Sequence, residues 1–168
     1  MFCTITSNKR MEGREGFMGE SMKVLLLEPG KYARETEIDG SLKSMQKLVD
    51  GTIQAIYPFD DPVAVVCDDE GMFKPNPLNR QIVPEVIIRG NCFICGLSED
   101  RFCSLSDALL ETYKKMFFYP EVFIRKQEKI VALQVLEPEW RFLQQLQGIS
   151  SKEMQPKGRE RNDKEQRR

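Results

Sequence analysis

A run of five apolar residues, Val63-Ala64-Val65-Val66-Cys67, most constrains how this chain can fold. Turn-forming segments flank it, residues 58–62 on one side and residues 68–71 on the other. A short apolar run that is bounded by turns and rich in β-branched residues predicts a buried strand. The other apolar runs of the chain are therefore expected to pair with it in a sheet.

The segments before this strand predict a hairpin and a helix. Residues 23–28 are apolar, residues 34–38 alternate, and Pro29-Gly30 supplies a turn between them. Ser41 is placed to cap a helix with apolar residues at helical spacing, and Asp50-Gly51 is expected to end it. A further strand is expected directly before the turn at residues 58–62.

The segments after the buried strand predict a loop and a second hairpin. Residues 72–81 hold two prolines and two asparagines, a composition typical of an irregular surface loop that can serve as a binding loop. Residues 86–88 and 92–97 are apolar runs on either side of Gly90-Asn91. Because a Gly-Asn pair suits a tight turn, these two runs are expected to form a hairpin.

The last third of the chain predicts two more helices and leaves one segment open. Ser104 or Ser106 is placed to cap a helix that runs through Met116. Residues 122–136 fit either a hairpin or a single helix, and the hairpin is favoured. Pro138 suits the first turn of a short helix that ends before Gly148.

The length of the chain and its polar ends bound the domain. At 168 residues the chain is long enough for one hydrophobic core and too short for two independent ones. Residues 1–21 and 149–168 lack an apolar period, which predicts a flexible leader and a disordered charged tail. We therefore expect one domain over residues 22–148. Our hypothesis is that translation of the natural protein starts at Met22.

The composition excludes several kinds of site. The chain has no histidine, so Ser-His and Cys-His nucleophile pairs are impossible and the commonest transition-metal ligand is missing. Its five cysteines, an odd number without a secretory signal, predict free thiols in a reducing cytoplasm. The net charge of -1 gives no overall attraction to nucleic acid, and no apolar run is long enough to span a membrane. No cofactor is expected.

An ordered set of short motifs resembles a known family. The set consists of residues 23–31 (Lys-Val-Leu-Leu-Leu-Glu-Pro-Gly-Lys), residues 46–49 (Gln-Lys-Leu-Val), Gly51, Ile53, Tyr57-Pro58-Phe59, Asp69-Glu70-Gly71, Asn79-Arg80 and Gly96-Leu97. Across residues 22–117 the pattern resembles a family of small uncharacterised proteins that phages and conjugative mobile elements of bacteria encode. The resemblance implies an origin in a phage or conjugative element, and it implies no particular activity.

The predicted elements together indicate the α+β class. We expect a mainly antiparallel sheet with two helices, one from Ser41 and one from Ser106, packed on one face of it.

A candidate ligand patch lies in and beside the predicted loop. Two asparagines and an arginine there would offer amides and a guanidinium fork, which suit a phosphate or carboxylate group. Acidic residues of the preceding turn can lie beside them. The alternative is turn chemistry with one surface salt bridge. The predicted ligand-binding residues are Tyr57, Asp69, Glu70, Asn76, Asn79 and Arg80.

The acidic turn after the buried strand is a candidate metal site. Asp68, Asp69 and Glu70 could hold Mg²⁺ or Ca²⁺ through oxygen atoms, but they lack the alternating spacing of a calcium loop. Asp60 and Asp61 lie at the other end of the strand, too far away to share one ion with them directly. Solvated turn acids are the simpler interpretation, and no metal is assigned.

The segment Cys92-Phe93-Ile94-Cys95 has the CxxC spacing, but its flanks predict a strand, where residues three apart point to opposite faces. A thioredoxin-type site needs this motif at a helix start. A zinc site would need four thiolates, with Cys67 and Cys103 as further candidates. Buried unreactive thiols are the prediction.

The function that these observations favour is a non-enzymatic binding or accessory protein of phage or mobile-element origin. Its expected partner is a host or defence protein, or a small phosphorylated ligand. One alternative is a divalent-metal enzyme that acts on a phosphate ester through Asp68, Asp69 and Glu70. Another is a nucleic-acid accessory protein that uses the basic tail, although the tail has interspersed acids and no aromatic residues for base stacking.

Overall fold

The computed structural model describes residues 20–99 and 101–153. The strands are β1 (Ser21–Leu27), β2 (Arg34–Asp39), β3 (Ile53–Ile56), β4 (Val63–Asp68), β5 (Leu78–Val83), β6 (Val86–Arg89), β7 (Cys92–Ser98), β8 (Arg101–Cys103), β9 (Glu121–Lys126) and β10 (Lys129–Gln134). The helices are α1 (Leu42–Val49), α2 (Asp107–Phe117) and α3 (Glu137–Glu153), with one 3-10 turn at Gly71–Phe73.

The main sheet is antiparallel and six-stranded, in the order β2-β1-β7-β4-β3, with β8 paired to the end of β7. Two smaller antiparallel pairs, β5-β6 and β9-β10, complete the strand set. All six residues of β4 are buried, and Val65 lies opposite Ile94 of β7 and Ile56 of β3. The α+β class and the buried strand at residues 63–67 are therefore confirmed.

Helices α1 and α2 cover opposite faces of the main sheet. Met45 of α1 packs in one core cluster with Val24, whereas Tyr113 of α2 packs in the other cluster with Leu25. The prediction that both helices lie on one face was wrong. The central strands are apolar on both sides, so both faces need a covering layer.

Local signals set the ends of these helices as predicted. The hydroxyl of Ser41 accepts a hydrogen bond from the backbone N–H of Ser44 (3.2 Å), and Ser106 accepts from Leu109 (3.4 Å). Asp50 ends α1 in the left-handed conformation, with φ of 59°. Each serine satisfies one of the N–H groups that lack a partner at a helix start.

The expected hairpin about Gly90-Asn91 was wrong. β6 pairs with β5, while β7 lies in the centre of the main sheet between β1 and β4. Five of the seven residues of β7 are buried, so this strand needs neighbours at both edges and cover on both faces. Gly90 has φ of 76° and its N–H donates to the carbonyl of Pro77 (2.9 Å), which directs the chain from one sheet to the other.

The last segment forms a hairpin and a helix. β9 and β10 pair directly, with Lys126 opposite Lys129, which confirms the favoured interpretation of residues 122–136. α3 continues to Glu153, beyond the expected end before Gly148 and into the segment predicted as tail. Residues 1–19 and 154–168, which hold most of the predicted leader and tail, lie outside the described residues, and β1 already begins at Ser21.

In the part of the chain that the structure describes, no helix combines the length and the apolar character needed to cross a lipid bilayer.

Candidate functional site

The predicted loop at residues 72–81 is partly a strand, and this buries two of the predicted ligand residues. Asn79 and Arg80 lie on β5 and are both 0% exposed. The amide of Asn79 donates to the carbonyls of Leu27 (2.8 Å) and Gly90 (2.7 Å). Asn79 therefore joins β1 to the turn after β6.

The guanidinium of Arg80 is held by carbonyl oxygens. Its Nε donates to Phe117 (3.2 Å), its Nη2 to Lys31 (2.6 Å) and its Nη1 to both oxygens of Asn79 (3.0 and 3.2 Å). Burial lowers the pKa of Arg80 to about 10, partly countered by the nearby charge of Glu121, so the group is cationic at neutral pH. A phosphate that approached Arg80 would have to displace these internal acceptors. Ligand binding by this residue stays a prediction.

The acidic turn after β4 is bound to the rest of the domain. Asp68 is 6% exposed, lies 2.5 Å from the ammonium of Lys74 and accepts from the N–H of Glu70 (3.2 Å). Asp69 and Glu70 are exposed on the turn. Within residues 20–99 and 101–153, no group of three or more histidine, cysteine or acidic side chains is arranged to hold a metal ion. The structure thus adds no support to the metal-enzyme alternative.

Asn76 is the predicted ligand residue that lies at a recess. This polar notch has a volume of about 100 Å³ and is lined by Pro29, Val49, Asp50, Asn76, Pro77, Gly90 and Asn91. Drug-sized ligands usually occupy pockets of about 300 Å³ or more, so the notch suits water or a single small ion. Tyr57, just after β3, is 51% exposed. Of the six predicted residues, Asn79 and Arg80, which are neighbours in the chain, share a hydrogen bond between their side chains (3.0 Å).

The CxxC segment lies on a strand with its thiols on opposite faces, as predicted. Cys92 belongs to the core cluster that contains Cys67, whereas Cys95 belongs to the other cluster. Burial raises the pKa of Cys67 to about 11 and of Cys95 to about 12, and it raises the pKa of Cys92 further. These thiols are protonated at neutral pH, which makes them poor nucleophiles.

A second recess is one that the sequence analysis missed. It is an open hollow of about 340 Å³ at the end of α2, lined by Glu111, Lys114, Lys115, Phe118 and Tyr119, which we call the aromatic hollow. Its lining surface is mainly apolar, although two lysines are among the lining residues. The signal in the sequence was the pair Lys114-Lys115 shortly before the aromatic run Phe117-Phe118-Tyr119.

Stacked rings give the aromatic hollow a fixed shape. Tyr32 stacks on Phe118 with ring centroids 4.9 Å apart, and Phe118 meets Tyr119 edge to face at 5.1 Å. The hydroxyl of Tyr32 accepts a hydrogen bond from the N–H of Glu137 (3.3 Å), which ties α3 to the stack. Lys115 pairs with Glu111 (2.8 Å) and lowers the pKa of that carboxyl. Lys114 has no pairing of this kind in the described residues and can meet an anion.

Exposed apolar side chains are concentrated in the C-terminal part of the described chain, which begins at the aromatic hollow. Of the thirteen large hydrophobic residues that are exposed in the described part of the chain, eight lie between Tyr119 and Leu146. Isolated exposed hydrophobic residues are normal, but a concentration of them marks an interaction surface. The C-terminal hairpin and α3 are therefore candidates for contact with another protein.

Comparison with known proteins places most of the domain in one family. No curated protein and no solved structure matches the chain. A family model described as a domain of unknown function (DUF3846) matches residues 22–118, from the first residues of β1 to the residue after α2. The match covers more than half of the chain and leaves β9, β10 and α3 outside it. The protein therefore belongs to the DUF3846 family.

Proposed function

We propose that this protein is a non-enzymatic binding protein that engages a partner protein at the aromatic hollow. The observation that carries the proposal is the edge-to-face pair of the half-buried Phe118 and the exposed Tyr119 beside two lysines. Rigid aromatic side chains contribute strongly to protein interfaces, because they offer a large contact area at a low cost in conformational entropy. The expected contact is an apolar anchor side chain of the partner, flanked by a carboxylate.

The openness of the aromatic hollow favours a protein over a small phosphorylated ligand. A small molecule needs an enclosed site that removes most of its surface from water. The donors of Arg80, which would have been the strongest phosphate ligands, are turned toward carbonyls of the protein itself. Lys114 can still pair with an acidic residue at the rim of an interface.

The biological setting is also part of the proposal. The motif pattern across residues 22–117 suggests a phage or conjugative element as the source, and the cysteine use suggests action in the cytoplasm. A host or defence protein is then the natural partner. Such a setting calls for a recognition surface, which the aromatic hollow would supply.

The test compares two variants in affinity purification of the tagged full chain from its native host. Tyr119→Ala removes a wall of the aromatic hollow, whereas the matched control Phe73→Ala removes an aromatic ring that is 90% exposed in the 3-10 turn. We expect a protein that co-purifies with the wild type and the control to be lost with Tyr119→Ala. Calorimetry with the purified partner should show affinity reduced at least about tenfold, or about 1.4 kcal/mol.

A charge reversal checks the second half of the site. Lys114→Glu should weaken the same complex and remove part of its salt dependence, because a favourable charge pair becomes a repulsive one. Equal binding by wild type, Tyr119→Ala and Lys114→Glu would overturn the proposal. So would a nucleotide or phosphate that raises the melting temperature in a manner sensitive to Arg80→Lys.

A further inference from the structure

β10 presents an unpaired backbone edge. Its six residues pair with β9 on one side, and within residues 20–99 and 101–153 no other strand pairs with it. Five of its residues are exposed and Ala132 is half-buried. Antiparallel strands direct the backbone groups of successive residues alternately toward one edge and the other.

One hydrogen bond shows which residues of β10 direct their backbone groups toward the free edge. The N–H of Val135 donates to the carbonyl of Pro120 (2.9 Å), which continues the pairing with β9. Residues at odd positions therefore turn their backbone groups toward β9. Ile130, Ala132 and Gln134 turn theirs toward the free edge.

This edge lacks the features that keep exposed strands apart. Natural edge strands carry charges, prolines or bulges that prevent pairing with another chain. β2, at one edge of the main sheet, has four charged residues among six, and β3, at the other, is four residues long. Residues 130–134 of β10 (Ile-Val-Ala-Leu-Gln) contain no charge and no proline, and the β9–β10 register shows no bulge.

We propose that β10 pairs with β10 of a second copy of this chain about a two-fold axis at Ala132. The inference goes beyond the proposed function and does not use the aromatic hollow. With Ala132 opposite itself, Ile130 meets Gln134 of the copy, and every outward backbone group in this stretch finds a partner. The three hydrogen-bonded pairs supply about six backbone hydrogen bonds.

The same register brings exposed apolar side chains together. Val131 is 39% exposed and Leu133 is 44% exposed. Val131 lies opposite Leu133 of the copy, and Leu133 lies opposite Val131 of the copy. These two contacts are non-hydrogen-bonded pairs, in which side chains approach most closely. Ile124, opposite Val131 on β9, extends the apolar strip on this face.

Charge complementarity favours a second copy as the occupant. The tip of the hairpin places Lys126 directly opposite Lys129, and like charges in this position destabilise a hairpin. In the paired arrangement Lys129 lies opposite Val135 of the copy, two residues before α3 begins. α3 opens with Glu137 and Glu139, so each basic tip approaches an acidic helix start.

The first test is the molar mass of the full-length chain in solution, measured by light scattering over a range of concentrations. We expect twice the chain mass of 19.5 kDa for the wild type. Ala132→Pro removes an outward N–H that β9 does not use, and proline is tolerated at such positions of edge strands. This variant should have the mass of one chain with an unchanged far-UV circular dichroism spectrum.

Charge variants test the partner positions. Val131→Lys with Leu133→Lys should give a monomer, and so should Val131→Glu with Leu133→Glu. A mixture of the two double variants should recover the mass of two chains, because each lysine then meets a glutamate. The control pair Phe142→Lys with Leu146→Lys adds the same charge on α3 and should remain dimeric.

Several outcomes would overturn the proposal. One is a wild type that stays monomeric at every concentration. Another is a wild type whose β10 pairs with a strand of a different protein and not with a second copy of this chain. Another is a dimer that persists in both Ala132→Pro and the lysine double variant. Loss of partner binding in Tyr119→Ala with the dimer intact would leave this proposal standing, so the two proposals can fail separately.

Discussion

Arg80 lies against the C-terminal end of α2, where its Nε donates to the carbonyl oxygen of Phe117 at 3.2 Å. The last carbonyls of a helix lack partners within the helix and carry partial negative charge. The contact therefore satisfies a buried helix end and compensates the burial of a cation. Because the same guanidinium also donates to Lys31, one side chain connects β5, α2 and the loop after β1.

Arg80→Met is expected to destabilise the domain strongly without any ligand. The variant keeps the apolar stem but leaves the carbonyls of Phe117 and Lys31 without their donor. The free energy of unfolding should fall by about 3 kcal/mol or more, measured by chemical denaturation. The control Arg34→Met breaks a surface pair with Glu28 and should cost about 1 kcal/mol or less. A similar small loss in both variants would contradict the structural role of Arg80.

Residue 51 is expected to need a glycine because the carboxylate of Asp68 lies directly beside it. A Cβ atom at residue 51 would overlap the carboxylate of Asp68, so Gly51→Ala should lower the free energy of unfolding by about 1–3 kcal/mol. In an Asp68→Ala background the same substitution should cost far less, because the obstructing atoms are gone. A double-mutant cycle measures this coupling. Additive effects would show that the two residues do not conflict.

The hydrogen bond between Tyr113 and Asp61 is expected to stabilise the domain. The phenol of Tyr113 donates to the carboxylate of Asp61 (2.8 Å), and burial followed by this hydrogen bond raises the pKa of the tyrosine. Tyr113→Phe should lower the free energy of unfolding by about 1 kcal/mol. Asp61→Asn should cost less, since its amide oxygen can still accept. Thermal or chemical unfolding distinguishes the two, and a larger loss for Asp61→Asn would contradict the assignment.

Cys67 is expected to make the domain sensitive to alkali. Burial, and then the charges of Asp68 and Asp69, raise its pKa from 9.0 to about 11. The unfolded chain releases this proton first, so the stability present below pH 9.0 is lost as the pH rises toward about 11. Cys67→Ala should show a shallower decline over this interval, by up to about 1.4 kcal/mol per pH unit. Unfolding free energies at several pH values test this, and equal slopes would contradict it.

Local signals in the sequence were sufficient for several elements. Ser41 and Ser106 start helices because a cap acts on N–H groups only two or three residues away. The buried strand at Val63 to Cys67 and the hairpin at residues 122–136 also followed from short-range patterns. In these segments the chemistry that decides the structure lies within one turn or one strand.

The pairing of β7 could not be predicted from its flanks. Gly90-Asn91 suggested a local hairpin, but β7 pairs with β1 and β4, whose partner residues lie far away in the chain. A residue's nearest neighbours carry no information on which distant strand offers a matching apolar surface. The same limit explains why α1 and α2 were placed on one face.

The amino-acid sequence by itself determined the α+β class, the helix starts, the central buried strand and the absence of histidine chemistry. Only the tertiary structure decided that Arg80 and Asn79 are buried, that Phe118 and Tyr119 line a hollow and that one edge of β10 has no strand partner among the described residues. Polar residues beside prolines resemble an exposed loop in any local view. Their burial becomes favourable only when carbonyls from Leu27, Lys31 and Phe117, brought together by folding, satisfy each donor.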